Sequence, residues 1–393
     1  MTGADVVIVG GAVVGCSIAW HLRHDGFTGR VVVVERDSTY ARASSNLAMG
    51  GIRQQFSSAA NVGMAQYSVE FYERFDETMS AGGFRSDAWL RQRGYLFLVD
   101  AESAERFENR LETQRTLGVA VERWSVDRIR ERVPDLMLDD IVFGVFGSRD
   151  GYADPKRVLA GFRAGAERAG AEFVAGEVTS VERANGNVVA VRVGDERIET
   201  RIVVNAAGAY AARVARLAGV ELPVHAVRQQ LFRCELPATW PYRFPMVIDP
   251  SGVHWRHDDA RSPGGIDRIV VARTNADEPE GENLSCDWSR WGRDYAPPLV
   301  RRMPAFSGLE PVEGWAGLYE MTPDHNAIIG EHPAVRGFFL ANGFSGHGLM
   351  MAPATGKAVS DLIRTARSDV VDVAPFRIAR FAHGTLLHDD AML

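Results

Sequence analysis

Cysteine is scarce in this chain. Its 393 residues hold three, Cys16, Cys234 and Cys286, far apart and without a C-x-x-C pair. That argues against a disulfide framework and against a zinc knuckle, and no metal site is expected. Long apolar runs are missing as well. No stretch approaches the roughly 18 consecutive apolar residues of a membrane-spanning helix. Basic charge is not in excess: 44 Lys and Arg face 51 Asp and Glu, a net charge of −7. This speaks against a nucleic-acid polyanion as partner, while a local basic pocket for an anionic metabolite stays open. The opening Met1-Thr2-Gly3-Ala4-Asp5 lacks a basic n-region, so no cleavable leader and a cytoplasmic location are expected. Internal repeats and low-complexity tracts are absent from the sequence. What is present is 46% hydrophobic and 24% charged, an ordinary globular composition long enough for two or three domains. A soluble enzyme or binding protein fits these bounds.

The first forty residues carry the clearest pattern. Val6 to Val9 is a β-branched run that ends at Gly10. Gly10-Gly11-Ala12-Val13-Val14-Gly15 follows, then helical apolar spacing from Cys16 to Leu22. A second run, Val31 to Val34, ends in Glu35. Strand, glycine turn, helix, strand and acidic end make a βαβ unit. Gly10 permits the tight turn, and Gly15 lets helix and strand pack closely. The helix start offers free N–H groups and about half a positive charge to a pyrophosphate. Glu35 is placed to accept hydrogen bonds from adenosine ribose hydroxyls, which disfavours NADP. Ala12 departs from the glycine-rich pattern at its middle position.

The turn alone does not choose between NAD and FAD. Later segments do. Ala43-Ser44-Ser45-Asn46 and Met49-Gly50-Gly51-Ile52-Arg53 cluster small and polar residues just after the second strand. The run from Ile202 to Tyr210 repeats strand then small residues. Gly343-Phe344-Ser345-Gly346-His347-Gly348 feeds a helix-like stretch from Met351 to Ile363, a second helix start suited to the electron-rich edge of a reduced flavin.

On VVIVGGAVVG at 6–15, ASSNLAMGGIRQQFS at 43–57, DGYADP at 150–155, VVNAAGAY at 203–210, GWAGLYEMTPD at 314–324 and GFSGHGLMMAP at 343–353, the chain resembles the D-amino acid oxidase-type flavoproteins. Within them it is similar to the glycine oxidase, sarcosine oxidase and sarcosine oxidase β-subunit-like branch. The matches run in order along nearly the whole chain. They are specific for the family and poorly specific for substrate. The resemblance implies an α/β fold with an α+β second domain. A Rossmann-like FAD domain would be assembled from residues 1–80, 150–220 and 322–393. A substrate domain with a large mixed, mainly antiparallel sheet would take 81–149 and 221–321. It further implies FAD contacts from Gly10, Ala12, Val13, Val14 and Gly15 in the first turn, and from Glu35 and Arg36 after the second strand. Ser44, Ser45, Asn46, Met49 and Gly50 would follow, then Val178, Ala207 and Gly208. Gly346, His347, Gly348, Leu349 and Met350 complete the set.

The bare sequence is compatible with that organisation. Gly94 to Val99 is strand-like, and Ala101 to Leu117 has helical spacing. Asp154-Pro155 opens a helix, with aspartate as N-cap and proline in the first turn. Residues 173–204 alternate as short strands with turns at Asn185-Gly186 and Gly194-Asp195. The stretch from His257 to Asp267 reads as a loop, a hairpin tip or an entrance segment.

Flavin amine oxidation needs orientation and water exclusion more than acid–base equipment. The resemblance places four residues at the chemistry. Arg53 would grip a substrate carboxylate with its guanidinium fork. Tyr319 would hold a carboxylate or amine, with an ordinary packed tyrosine as the competing reading. His347 would touch substrate or tune the flavin. His254 falls near a lysine that promotes oxygen reactivity in monomeric sarcosine oxidases, and histidine does so only when protonated. Its neighbours Trp255, Arg256 and His257 suit a pocket wall or a plain sheet face. Arg228-Gln229-Gln230 resembles a segment near the flavin, although a solvated strand edge is the preferred reading. Asn46 and Gly317 stand where relatives carry flavin-linked histidine and cysteine, which implies non-covalent FAD. Met350 replaces a carboxylate-holding lysine.

The expected function is oxidation of the C–N bond of an amino acid, N-methyl amino acid or related secondary amine. Hydride passes to flavin, the imine hydrolyses, and O2 or another acceptor reoxidises the cofactor. Alternatives are a non-catalytic flavoprotein, assembly factor or subunit of a homo- or hetero-oligomer, and a hydroxy-acid dehydrogenase on the same fold.

Overall fold

The computed structural model describes residues 3–237, 239–259, 265–275 and 277–389. Val6–Val9 lies at the centre of a six-stranded sheet. The order is Ile328–Glu331, Phe338–Asn342, Ile202–Asn205, Val6–Val9, Val31–Glu35 and Glu172–Ala175. All neighbours run parallel except the first pair. A central parallel strand is covered on both faces, which is why the run is apolar at every position. Val6 and Ile8 face the helices Val13–His24 and Gly348–Thr365. Val7 and Val9 face the opposite layer, the three-stranded meander from Val178 to Glu199 and the helix Ala211–Leu217.

The long helix Gly348–Thr365 begins one turn earlier than the apolar spacing suggested, and it contains Pro353. Proline has no N–H for the carbonyl four residues back, that of Leu349. The Tyr72 hydroxyl donates to that carbonyl instead, at 2.6 Å. The expected cap at Asp154 forms, its side chain accepting from the N–H groups of Lys156 and Arg157. The helix expected from Ala101 to Leu117 starts later, at Ala104, because Asp100 draws the Ser103 N–H and hydroxyl into a turn.

The second sheet has eight strands and is mixed but mainly antiparallel. Its order is Pro311–Met321, His225–Glu235, Arg268–Arg273, Val253–Asp258, Met246–Ile248, Tyr95–Asp100, Ile141–Gly147 and Val121–Trp124. Only Met246–Ile248 and Tyr95–Asp100 pair in parallel. Alternation decides its two faces. Phe232, Trp255 and Val271 pack outward against Trp291, Tyr295, Leu299 and Phe306. Leu231, Val270 and Ala272 turn inward toward Met49 and Trp315. The register sets Leu231 opposite Trp315 and Ala272 opposite His254, so this inner row faces the glycine-rich loop near residue 50. Of the expected loop, His257 and Asp258 complete the strand Val253–Asp258, while 260–264 lie outside the described residues. Among the described residues no helix is long and apolar enough to cross a membrane.

Candidate active site

A cavity of about 530 Å³ runs from the first glycine turn to the inner face of the large sheet. At one end its walls are backbone. Gly10 has φ of +100°, and a Cβ added there would sit 2.5 Å from the Ala206 carbonyl oxygen. Ala12 has φ of −76°, an ordinary value for an alanine, so the departure from glycine costs no strain. Val13 and Val14 line the cavity beside it. Gly15 does not. It packs helix on strand: an added Cβ would meet the Gly10 oxygen at 1.9 Å.

The helix Val13–His24 starts without a side-chain cap on Ala12 and without an acidic residue in its first turn. Gly348–Thr365 starts likewise. Both starts face the cavity; the Val13 N–H donates to the Ser45 hydroxyl at 3.3 Å, and the dipoles of both helices favour an anion there. Glu35 sits at the rim, held by the N–H groups of Gly11 at 2.8 Å and Asp37 at 2.9 Å. Arg36 lies over the Tyr210 ring, 3.6 Å from its centroid. Val178, Ala207 and Gly208 continue the wall. These features fit a dinucleotide with its pyrophosphate at the first helix.

The loop after the second strand forms the middle. Ser44, Ser45, Met49 and Gly50 line the cavity. Ser44 donates to the Leu318 carbonyl at 2.7 Å, tying loop to sheet. Asn46 does not reach the cavity wall. Its Nδ2 donates to the Tyr40 carbonyl at 3.2 Å, bracing the loop at a position where a cofactor contact was expected. Gly317 packs against Leu47, which stands 3.1 Å from where a Cβ would be.

At the far end Arg53, Tyr319, His347 and His254 come together on one cavity. Gly346, Gly348, Leu349 and Met350 line the same end. Arg53 is 1% exposed. It donates to the Gln55 carbonyl, its other Nη lies 3.1 Å from His347 Nε2, and its plane covers Phe56 at 4.2 Å. Burial, aided by the Arg53 charge, pushes His347 down to about 3. The neutral ring with its proton on Nδ1 satisfies both contacts: Nδ1 donates to the Phe344 carbonyl at 3.3 Å and Nε2 accepts from Arg53. His347 therefore orients Arg53.

Burial also pushes His254 down to about 4, and its Nδ1 lies 3.0 Å from the Gly252 carbonyl. Its ring is neutral at ordinary pH. Burial raises the Tyr319 phenol, partly offset by Arg53. Gly346 must be glycine because the Tyr319 ring stands 2.5 Å from its Cβ direction.

Sequence reasoning did not single out several residues here. Asp150 accepts from the Gln54 N–H at 2.7 Å and Gln55 Nε2 at 2.8 Å, bracing the chain just after Arg53. Burial pushes it up to about 7. Glu320 lines the cavity and accepts from the Gly343 N–H at 2.9 Å; burial raises it to about 7 too. Tyr95 completes the wall, beside Gln229 and Gln230 of the segment expected near the flavin. The signals were the QQ after Arg53 and the first aspartate of DGYADP, each readable only once its partner is known.

Comparison with known proteins matches this geometry. The family model described as FAD dependent oxidoreductase fits residues 5–362. "FAD-dependent oxidoreductase domain-containing protein 1" of Bos taurus is 34% identical, over 99% of this chain and 87% of that protein. Mitochondrial sarcosine dehydrogenase of Mus musculus is 25% identical over 98% of this chain and 42% of its own length. The crystal structure of L-proline dehydrogenase from P. horikoshii superposes with a TM-score of 0.88 at 29% identity, covering 98% of this chain and 100% of that one. A match of this extent, on a cavity onto which two helix starts open, makes the chain a member of the FAD dependent oxidoreductase family with FAD as its cofactor.

Proposed function

We propose that the protein oxidises the C–N bond of a secondary amino acid or N-methyl amino acid, and that it works as a dehydrogenase. Residues 1–80, 150–220 and 322–393 hold FAD in this reading, non-covalently, and 81–149 with 221–321 cover the substrate. The observation that carries it is the buried Arg53, oriented by a neutral His347 and facing the same cavity as Tyr319 and His254.

Bound FAD supplies a two-electron acceptor for the hydride leaving the carbon next to nitrogen. Arg53 holds the carboxylate and fixes the amine's position. A protonated amine cannot give up that hydride, so the site must favour the free base. Burial and the Arg53 cation both disfavour a second positive charge nearby, which lowers the amine's proton affinity without a dedicated base. The Tyr319 hydroxyl offers a hydrogen bond at the same end. The neutral His254 adds no positive charge to stabilise superoxide, which supports an acceptor other than O2. Two relatives are named for sarcosine and L-proline, both secondary amino acids, and both are named dehydrogenases.

The test is anaerobic mixing of the purified yellow protein with amino acids, N-alkyl and cyclic amino acids, followed by air. Bleaching by a secondary amino acid that air restores slowly is the expected result. Rapid recovery in air would make it an oxidase. A flavin that no amine bleaches, but that a hydroxy acid does, would overturn the reading.

A further inference from the structure

Arg256 lies two residues beyond His254 on the strand Val253–Asp258 and shares its inward face. It is 7% exposed. Its Nε and one Nη both donate to a single acceptor, the Met49 carbonyl, at 2.8 and 2.6 Å. The other Nη donates to the His257 carbonyl at 2.7 Å, and the guanidinium covers the Tyr152 ring at 4.5 Å. None of the ion pairs among the described residues includes it; the nearest carboxylate link runs through Tyr152, whose hydroxyl donates to Asp259 at 2.6 Å. A buried cation whose hydrogen-bond partners are carbonyls is electrostatically incomplete, because buried charges are ordinarily paired.

The Met49 carbonyl belongs to the same peptide unit as the Gly50 N–H. In a trans peptide the two point in opposite directions. With the carbonyl toward Arg256, the Gly50 N–H points away from the sheet. Among the described residues it has no acceptor, and Gly50 lines the cavity. A cation on the carbonyl polarises the whole unit and strengthens the N–H as a donor.

We propose that Arg256 is a positioning residue that presents the Gly50 N–H to the cofactor ring and raises its affinity for electrons through that peptide. The proposal rests on the function proposed above, with Met49 and Gly50, two of the expected FAD contacts, taken to lie against the ring of the bound cofactor. The reduced ring is richer in electrons than the oxidised one, so a fixed donor backed by a buried cation favours the reduced form.

The test is the midpoint potential of bound FAD in the holoenzyme, measured for the native protein, Arg256→Gln and Arg256→Lys. Melting curves check the fold. The expected result for Arg256→Gln is at least a tenfold fall in the ratio of reduced to oxidised cofactor at a fixed potential, about 30 mV for a two-electron couple. Arg256→Lys keeps the charge but loses the fork, and its potential should fall less, in the same direction. If Arg256→Gln takes up no FAD, Arg256→Lys decides alone. A potential unchanged in a variant that holds FAD overturns the proposal. The amine panel reads separately: a native protein that no amine reduces, with a potential that still shifts in the variants, would defeat the substrate reading and keep this one.

Discussion

The two ends of the cavity are built from different materials. The proposed dinucleotide end is mostly backbone: a glycine turn, two helix starts whose own N-cap residues give no side-chain cap, and a few small residues. The substrate end is mostly side chains, from positions 53, 254, 319 and 347. A backbone site must be contiguous, because its donors come from one turn, and contiguity makes a motif. A side-chain site needs only convergence in space. The first end therefore tolerates almost no change in shape and some change in chemistry, as Ala12 shows. The second should tolerate the reverse.

The strongest way to break that contrast is Gly15→Ala. The new methyl would meet backbone, the Gly10 oxygen, which cannot swing away. We expect a loss beyond the about 1–3 kcal/mol usual for an overpacked core, with FAD released. Purification of a fully yellow variant with native melting would refute it. Arg53→Ala comes next. It should keep FAD and lose about tenfold to a hundredfold in kcat/KM for a carboxylate substrate, the scale of a charged hydrogen bond. Steady-state kinetics beside flavin occupancy separates the two ends: loss of cofactor with no kinetic defect would contradict the division.

His254→Lys is a smaller, directional change. A charge beside the inner row should speed reoxidation by O2 several-fold, read by stopped-flow, while amine reduction changes little. No gain would mean that His254 lies away from the reacting face. The gentlest test concerns pH. The Asp150 carboxyl is raised in the fold to about 7 from an ordinary 3.8. The folded state therefore holds a proton that the unfolded chain has released, and this contribution is present below about 3.8 and lost as pH rises through about 7. Relative to the native protein, Asp150→Asn should gain melting temperature progressively across that window. A difference independent of pH would show that Asp150 titrates normally.

Much of the first end was legible because propensity and packing agree there. The βαβ unit, the Asp154 cap and the long helix Gly348–Thr365 follow from local pattern alone. The helix end at Gly348 was misjudged because glycines read as loop, while their real task is to bring backbone close to neighbours such as Tyr319. Asn46 sits among residues that line the cavity, yet its Nδ2 is turned to the Tyr40 carbonyl, a bond that sequence spacing does not reveal. Arg256 and Asp150 were not seen as site residues because each acts on a carbonyl or N–H of a segment about a hundred or more residues away, and such pairing leaves no local trace.

The packing of Gly348–Thr365 against Val13–His24 also fixes when the site can exist. A nascent chain halted at residue 330 has made the first anion seat but not the second. It also lacks the strand Phe338–Asn342 that flanks Ile202–Asn205. The complete cavity is thus a late product of chain synthesis. The early glycine turn meets its facing wall only once the helix Gly348–Thr365 has been made.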